Sequence, residues 1–163
     1  MAEKEISIRD SGYAGVLKHI LSDFLKERTQ LPVFIEPQPI TVFEPHIRVM
    51  FAGFDFEGVG DLTGYDIERL CTLKMDCLLT LTAMGDGPDV FLDKVVDASF
   101  RLNRLFERPF SIQTVDGYGI TVQGKSRGQR QFFKNEEEGK KPYIYEENFD
   151  VSIFLPYAEV LNG

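Results

Sequence analysis

The sequence has very little of the residues on which most catalytic and metal sites depend. Its 163 residues include two histidines, two cysteines and no tryptophan. His-based catalysis and zinc sites need several histidine or cysteine side chains in one place, and this sequence has too few of them for either kind of site. No serine, threonine or cysteine lies in a Gly-x-Ser-x-Gly setting, the usual context of an exposed nucleophile. We therefore expect no enzymatic activity, no metal and no cofactor.

The two cysteines do not suit a disulfide. Cys71 and Cys77 fall on one face of a single predicted strand, about 20 Å apart at roughly 3.3 Å per residue, whereas a bridge needs Cα atoms within about 7 Å. We expect free thiols in a reducing compartment. The N-terminus lacks the apolar core of a signal peptide, and no apolar run approaches the ~20 residues of a membrane span. These absences favour a cytoplasmic protein without a membrane partner.

Positive charge is also scarce. The chain has 18 Lys and Arg against 26 Asp and Glu, a net charge of −8. This balance disfavours general binding to nucleic acids and anionic membranes, which requires clustered basic side chains. The apolar fraction is 43%, ordinary for a soluble globular protein, and the length suits one domain with a real core.

What the sequence does contain is a clear strand, turn and helix between Thr72 and Glu107. Apolar residues at odd positions from 73 to 83 alternate with mostly polar ones, which predicts a strand with one buried face. Gly85–Pro88 ends this strand, and Pro88 suits the first turn of a helix. Apolar residues then recur at steps of one, three and four, as on one face of a helix. This stripe consists of Leu92, Val95, Val96, Ser99, Leu102, Leu105 and Phe106.

The remaining pattern completes an α+β domain. A first helix is predicted over residues 12–28, capped by Asp10 or Ser11. The Asp116-Gly117 pair is typical of a hairpin turn. The predicted extended segments are 33–35, 40–43, 47–53, 110–115, 118–123 and 142–157. We expect one domain over residues 1–163, with a mixed, mostly antiparallel sheet and two main helices packed on it.

Two charged stretches are predicted to be loops. Residues 54–70 hold five acidic residues and three glycines, but their Gly-x-Gly-x-x-x-Gly spacing departs from the phosphate-binding pattern. Residues 124–142 hold six basic and three acidic residues and lack strand periodicity, so we expect a flexible loop. The two stretches are candidate complementary halves of a subunit contact. The candidate contact residues, including two from the polar face of the long strand, are Asp55, Glu57, Asp61, Asp66, Lys74, Asp76, Lys125, Arg127 and Arg130.

Two other functions fit parts of the pattern. The basic stretch 124–142 contains an aromatic pair, Phe132-Phe133, and such a combination can contact nucleic acid. A pocket between the sheet and the helices would instead suit a small ligand. Salt-sensitive DNA binding that is lost when Arg127 and Arg130 become Ala would support the first. A metabolite bound to the purified protein would support the second.

The order of elements resembles a known structural family. PHIRVMFAGFDFEG, an acidic insertion, LKMDCLLTLTAM, a helix and the late strand NFDVSIFLPY together resemble the tail terminator proteins of long-tailed phages, the minor tail protein U type. The resemblance spans most of the chain; residues 124–142 make it somewhat longer than typical members.

The resemblance implies a structural role in phage or prophage assembly. Such proteins form a six-fold ring on the tail tube, which ends tube polymerisation and offers a surface for head joining. The implied partners are other copies of the chain, the major tail tube protein and a head-completion protein, with no specific nucleic acid. DNA would pass through an acidic lumen without sticking. The implied location is the cytoplasm during assembly and the virion tail afterwards.

Overall fold

The computed structural model describes residues 6–36, 44–57, 70–117, 119–134 and 143–158. Its helical segments are α1 (Ile8–Lys18), a π-helical segment (His19–Phe24), α2 (Leu25–Thr29), a 3-10 turn (Pro88–Val90) and α3 (Leu92–Leu105). Its strands are β1 (Val33–Ile35), β2 (His46–Glu57), β3 (Leu70–Gly85), β4 (Phe110–Gln113), β5 (Gly119–Lys134) and β6 (Tyr143–Ala158). None of the helices in these ranges is long and apolar enough to cross a membrane.

The strands form one sheet in the order β1-β2-β3-β6-β5-β4. β1 pairs with β2 in parallel, and every other neighbouring pair is antiparallel. This confirms the α+β class with a mixed, mostly antiparallel sheet. The long alternating strand and the final strand, β3 and β6, are central neighbours and pair along their whole length.

The core lies between the helices and one face of the sheet. The odd-numbered residues of β3 and β6 face it, as their alternation predicts, and Leu79 and Phe149 are fully buried there. Phe106 follows α3 directly, and the centroid of its ring lies 5.8 Å from the centroid of the Phe149 ring. At about 1.5–3 kcal/mol for each large buried apolar side chain, this layer is the main source of stability.

A short helical turn precedes the predicted helix of residues 12–28, and a kink at Gly12, where φ is 69° and ψ is 170°, separates the two. Ser7 caps this turn by accepting a hydrogen bond from the Asp10 amide. Asp116, from the distant β4–β5 turn, accepts further bonds from the amides of Ile8 and Arg9. Because those donors are satisfied by a residue more than 100 positions away, the local sequence did not reveal this start.

Both predicted charged loops are partly wrong. Residues 54–57 continue β2 and residue 70 begins β3, while residues 124–134 continue β5. The extended β5 pairs with β6 as far as Lys134, with a bulge between Ser126 and Arg130 and a positive φ at Gly128. Backbone pairing with β6 and the packing of Phe132 on Phe91 and Tyr145 hold this part of the strand. Its side chains do not alternate between apolar and polar, so its sequence shows no period of two. The predicted segment 40–43, residues 58–69 and residues 135–142 lie outside the described ranges.

Candidate interaction surface

The outer half of β2 is a sheet edge without a neighbouring strand in the described ranges. The β1 segment covers only the start of β2: Ile47 donates its amide to Pro32 O and Val49 accepts from the Glu36 amide, each at 2.9 Å. β1 ends there, and residues 50–57 are all exposed. The Phe56 amide donates to the Asp55 carboxylate at 2.8 Å. A sheet edge without a neighbouring strand is a template for another strand.

Aromatic side chains crowd this edge. Phe54 is 66% exposed and Phe56 is 41% exposed, and their rings meet edge to face at 6.0 Å. A bulge between Phe51 and Gly53 adds one residue to β2, and therefore all three phenylalanines lie on the helix-bearing side of the sheet. Large exposed aromatic rings placed together are typical of protein contact sites.

The acidic residues of the same edge occupy the opposite face. Asp55 lies directly across from Lys74, and Glu57 lies across from Thr72. Of the predicted contact residues in the acidic stretch, these two are thus placed on an exposed edge. Asp61 and Asp66 lie outside the described ranges.

A shallow apolar groove adjoins the phenylalanines. It runs between α1, the end of β1 and β2, and its volume is about 460 Å³. Its lining is mostly apolar and includes Leu17, Ile35, Phe51 and Met75. The groove and the Phe54–Phe56 pair together extend the apolar contact area on this side of the sheet.

The opposite edge of the sheet is also partly uncovered, and it is basic. β4 pairs only with Gly119–Val122 of β5, so β5 has no outer neighbour in the described ranges from residue 123 onward. The exposed side chains that follow are Gln123, Lys125, Arg127, Arg130, Phe132 and Lys134. The sheet therefore ends in an acidic and aromatic edge on one side and in a basic edge on the other.

Two of the basic residues are held by carboxylates of their own chain. Arg127 donates to both oxygens of Asp150 at 2.9–3.2 Å, and this bond raises the pKa of the guanidinium. Arg130 Nε lies 2.8 Å from Glu147 Oε2. These pairs lower the positive potential available to a phosphate backbone, which weakens the nucleic-acid alternative. Lys125 and Lys134 form no ion pair of the kind found for Arg127 and Arg130 within the described chain.

Lys74 and Asp76 lie on the open face of β3 rather than on an edge. Their charged groups are 4.0 Å apart, and Asp76 accepts a 2.8 Å hydrogen bond from Ser152 on β6. Lys74 also lies 5.9 Å from the Phe154 ring centroid. Because the contacts with Ser152 and Phe154 join β3 to β6, the sheet already uses both residues.

Glu147 forms a polar cluster that the sequence analysis missed. This carboxylate is fully buried among Arg130, the Tyr145 hydroxyl at 3.2 Å and the Asn103 amide at 3.3 Å. Burial and the adjacent negative charge raise the pKa of Tyr145 to about 12. A signal was present, since Glu147 shares the parity of the apolar face of β6. The cluster joins α3 to the β5 edge.

No metal centre is formed by the described residues, which contain no group of three or more His, Cys, Asp or Glu side chains suited to one. Cys77 is buried as a free thiol. Its burial raises the pKa to about 12, which makes it a poor nucleophile near neutral pH. Neither observation supplies a reacting group, and the two sheet edges remain the most distinctive surfaces.

Comparisons with known proteins do not give a family. No family model matches the chain, and no curated protein matches it. One solved structure, which carries no functional description, aligns with 88% of this chain and 92% of its own at 17% identity, with a TM-score of 0.38. A likeness at this level carries no argument about function.

Proposed function

We propose that the protein is a self-assembling structural component of a phage or prophage tail, of the tail terminator type. In this role it forms a ring, about six subunits in size, on the tail tube, ends tube polymerisation and provides the head-joining surface. Its partners are other copies of itself, the major tail tube protein and a head-completion protein. Its location is the cytoplasm during assembly and then the virion tail.

The observation that carries the proposal is the pair of unlike sheet edges. A contact between two different patches of one molecule is heterologous, and it produces closed rings when the rotation closes. The β2 edge is acidic and aromatic and the β5 edge is basic, so each edge attracts its counterpart on another copy and repels its own kind. This asymmetry supports a head-to-tail ring over a two-fold dimer. The resemblance in element order to tail terminators supplies the biological setting.

The test is the assembly state with and without tail tubes. We expect analytical ultracentrifugation to show association that increases with concentration, and electron microscopy to show rings of about six subunits capping purified tubes. A chain that stays monomeric at high concentration and leaves tube ends bare would refute the proposal. Flanking genes for tube, sheath or tape-measure proteins would support it independently.

A further inference from the structure

The two edges that have no neighbouring strand in the described ranges match in direction. We infer that the β2 edge of one copy adds to the β5 edge of the next as an antiparallel strand, and this inference rests on the proposed ring. β2, β3, β6 and β5 alternate in direction across the sheet, so β2 and β5 run in opposite directions. A rotation axis roughly along the strands therefore brings β5 and the neighbouring copy's β2 together antiparallel.

The levels of the two edges also fit. The strand register gives each edge residue a level along the central strand β6. Glu57 is level with Pro156 and Lys125 with Asp150, six residues apart. Phe51 is level with Val151 and Phe132 with Tyr145, again six residues apart. One stagger of about 20 Å between copies, at roughly 3.3 Å per residue, therefore brings both pairs to the same level. With this stagger, β1 and β4 fall at opposite ends of the joint instead of blocking it.

The size of the stagger suits a closed sheet. Equivalent strands of neighbouring copies are four strand spacings apart, about 19 Å at ~4.8 Å each. A stagger of about 20 Å over that width tilts the strands by roughly 45°, the upper end of the usual range for closed sheets. The stagger that aligns the side chains is thus one that a ring can accommodate.

The chemistry of the faces agrees with this register. Glu57 and Lys125 both project on the open face of the sheet, as do Asp55 and Arg127, while Phe51 and Phe132 both project on the helix-bearing face. Acidic side chains therefore meet basic ones and a phenylalanine meets a phenylalanine. Cross-strand pairs of both kinds stabilise antiparallel sheets.

A charge exchange between the edges tests the pairing. Asp55→Lys with Glu57→Lys makes both edges basic, and Lys125→Glu with Lys134→Glu removes the net positive charge of the β5 edge and places a carboxylate level with Glu57. We expect each double variant to fail to form rings alone, and an equimolar mixture to restore rings. A control with the same change of charge away from the edges, Glu27→Lys with Asp93→Lys, should assemble like the unaltered chain. Rings from either edge variant alone, or none from the mixture, would overturn the pairing.

Cross-linking tests the register and the backbone contact. In a Cys71→Ser background, Glu57→Cys with Lys125→Cys places two thiols on directly opposed antiparallel residues, within disulfide range. We expect a ladder of covalent oligomers up to the ring size on oxidation. A control that moves one thiol to β4, Glu57→Cys with Gln113→Cys, should give none. Assembly should also slow amide hydrogen exchange within 50–57 and 123–134.

The failures are distinguishable. If the unaltered chain never forms rings, the proposed function itself fails. If it forms rings but the Glu57–Lys125 thiols stay unlinked and exchange at the two edges is unchanged, the strand pairing is wrong and the proposed function stands. Linking through Gln113 instead would replace the inferred joint with one at β4.

Discussion

At the scale of single residues, the carboxylates of Glu147 and Asp116 contribute more to the stability of the fold than the polar side chains around them. Glu147 is a charge with no exposure to solvent, and its partners come from β5, β6 and α3. Asp116 lies in a surface turn and binds the start of α1. Each joins segments that are distant in sequence, so each affects the fold as a whole.

Removing the arginine that faces Glu147 should be costly. Arg130→Ala leaves a buried carboxylate without its cation, and breaking a buried pair from one side costs about 3 kcal/mol. We expect a loss of that order in urea unfolding at neutral pH. Arg101→Ala, which breaks the exposed Arg101–Asp97 pair, is the control and should cost at most about 0.5 kcal/mol. Equal losses of unfolding free energy for the two variants would show that the Arg130–Glu147 pair stabilises the fold no more than an exposed ion pair does.

Asp116 gives the protein a predictable response to acid. Burial acts to raise its pKa, but hydrogen bonds from Thr114 and from the amides of Arg9 and Ile8 outweigh this and hold it at about 2, below its ordinary 3.8. Because the folded-state pKa is depressed, the stabilisation is present above about pH 4 and is lost as the pH falls towards 2.

The variant Asp116→Asn tests this response. It should lower the free energy of unfolding near neutral pH by about 1 kcal/mol, the usual value of a helix cap. Its stability should also decline less than that of the unaltered chain between pH 4 and pH 2. Parallel stability curves over that interval, from urea titrations, would contradict the assigned role.

At the scale of elements, α3 carries two apolar stripes instead of one. The predicted stripe is correct for Val95, Ser99 and Leu102, which are buried, but Leu92 and Val96 are exposed together with Phe100. Leu92 and Val96 interleave with the buried residues at helical spacing, so the predicted stripe included them, whereas Phe100 lay outside it. Only the position of the sheet decides which stripe is covered.

The two stripes should respond differently to truncation. Leu102→Ala opens a cavity in the core and should cost about 3 kcal/mol. Phe100→Ala removes a ring that is 67% exposed and should change stability by less than about 0.5 kcal/mol. Thermal and urea unfolding of the two variants measure this difference. A large loss for Phe100→Ala would place that ring in a packed site.

At the scale of the whole molecule, the separation of charge between the two edges would govern the self-association that we propose. The net charge of −8 repels copies at long range, while the acidic β2 edge and the basic β5 edge attract at contact. Such attraction falls with salt, because the Debye length shrinks from about 10 Å at 0.1 M to about 3 Å at 1 M.

Ring assembly should therefore weaken with added salt. Arg127 is already paired with Asp150, so each joint gains one new exposed ion pair, Glu57–Lys125. At up to about 1 kcal/mol, this pair predicts up to about fivefold weaker association between about 0.1 M and about 1 M salt. Sedimentation equilibrium measures this. The variant Asp55→Asn with Glu57→Gln should associate weakly at both salt concentrations and lose most of the dependence. Association that strengthens with salt would show that apolar contacts dominate the joint.

The sequence by itself determined most of the elements. Alternation along residues 73–83 and 149–155 defined two central strands, because a half-buried strand must expose every second side chain. Helical spacing after Pro88 defined α3, because a half-buried helix places its apolar side chains at steps of three and four. Periodic patterns of this kind are local, so they can be recognised in the sequence without knowing which element covers the apolar face.

Only the tertiary structure decided what the charged stretches do. Residues 124–134 become a strand because β6 supplies backbone partners, and residues 54–57 do so because β3 does. Tertiary contacts also decided that Arg130 pairs with the buried Glu147 and that Asp116 caps α1. Backbone pairing and long-range ion pairs leave no periodic trace in the sequence. The proposed ring depends on two edges that have no neighbouring strand in the part of the chain that the structure describes, and these edges therefore appear only once the sheet is assembled.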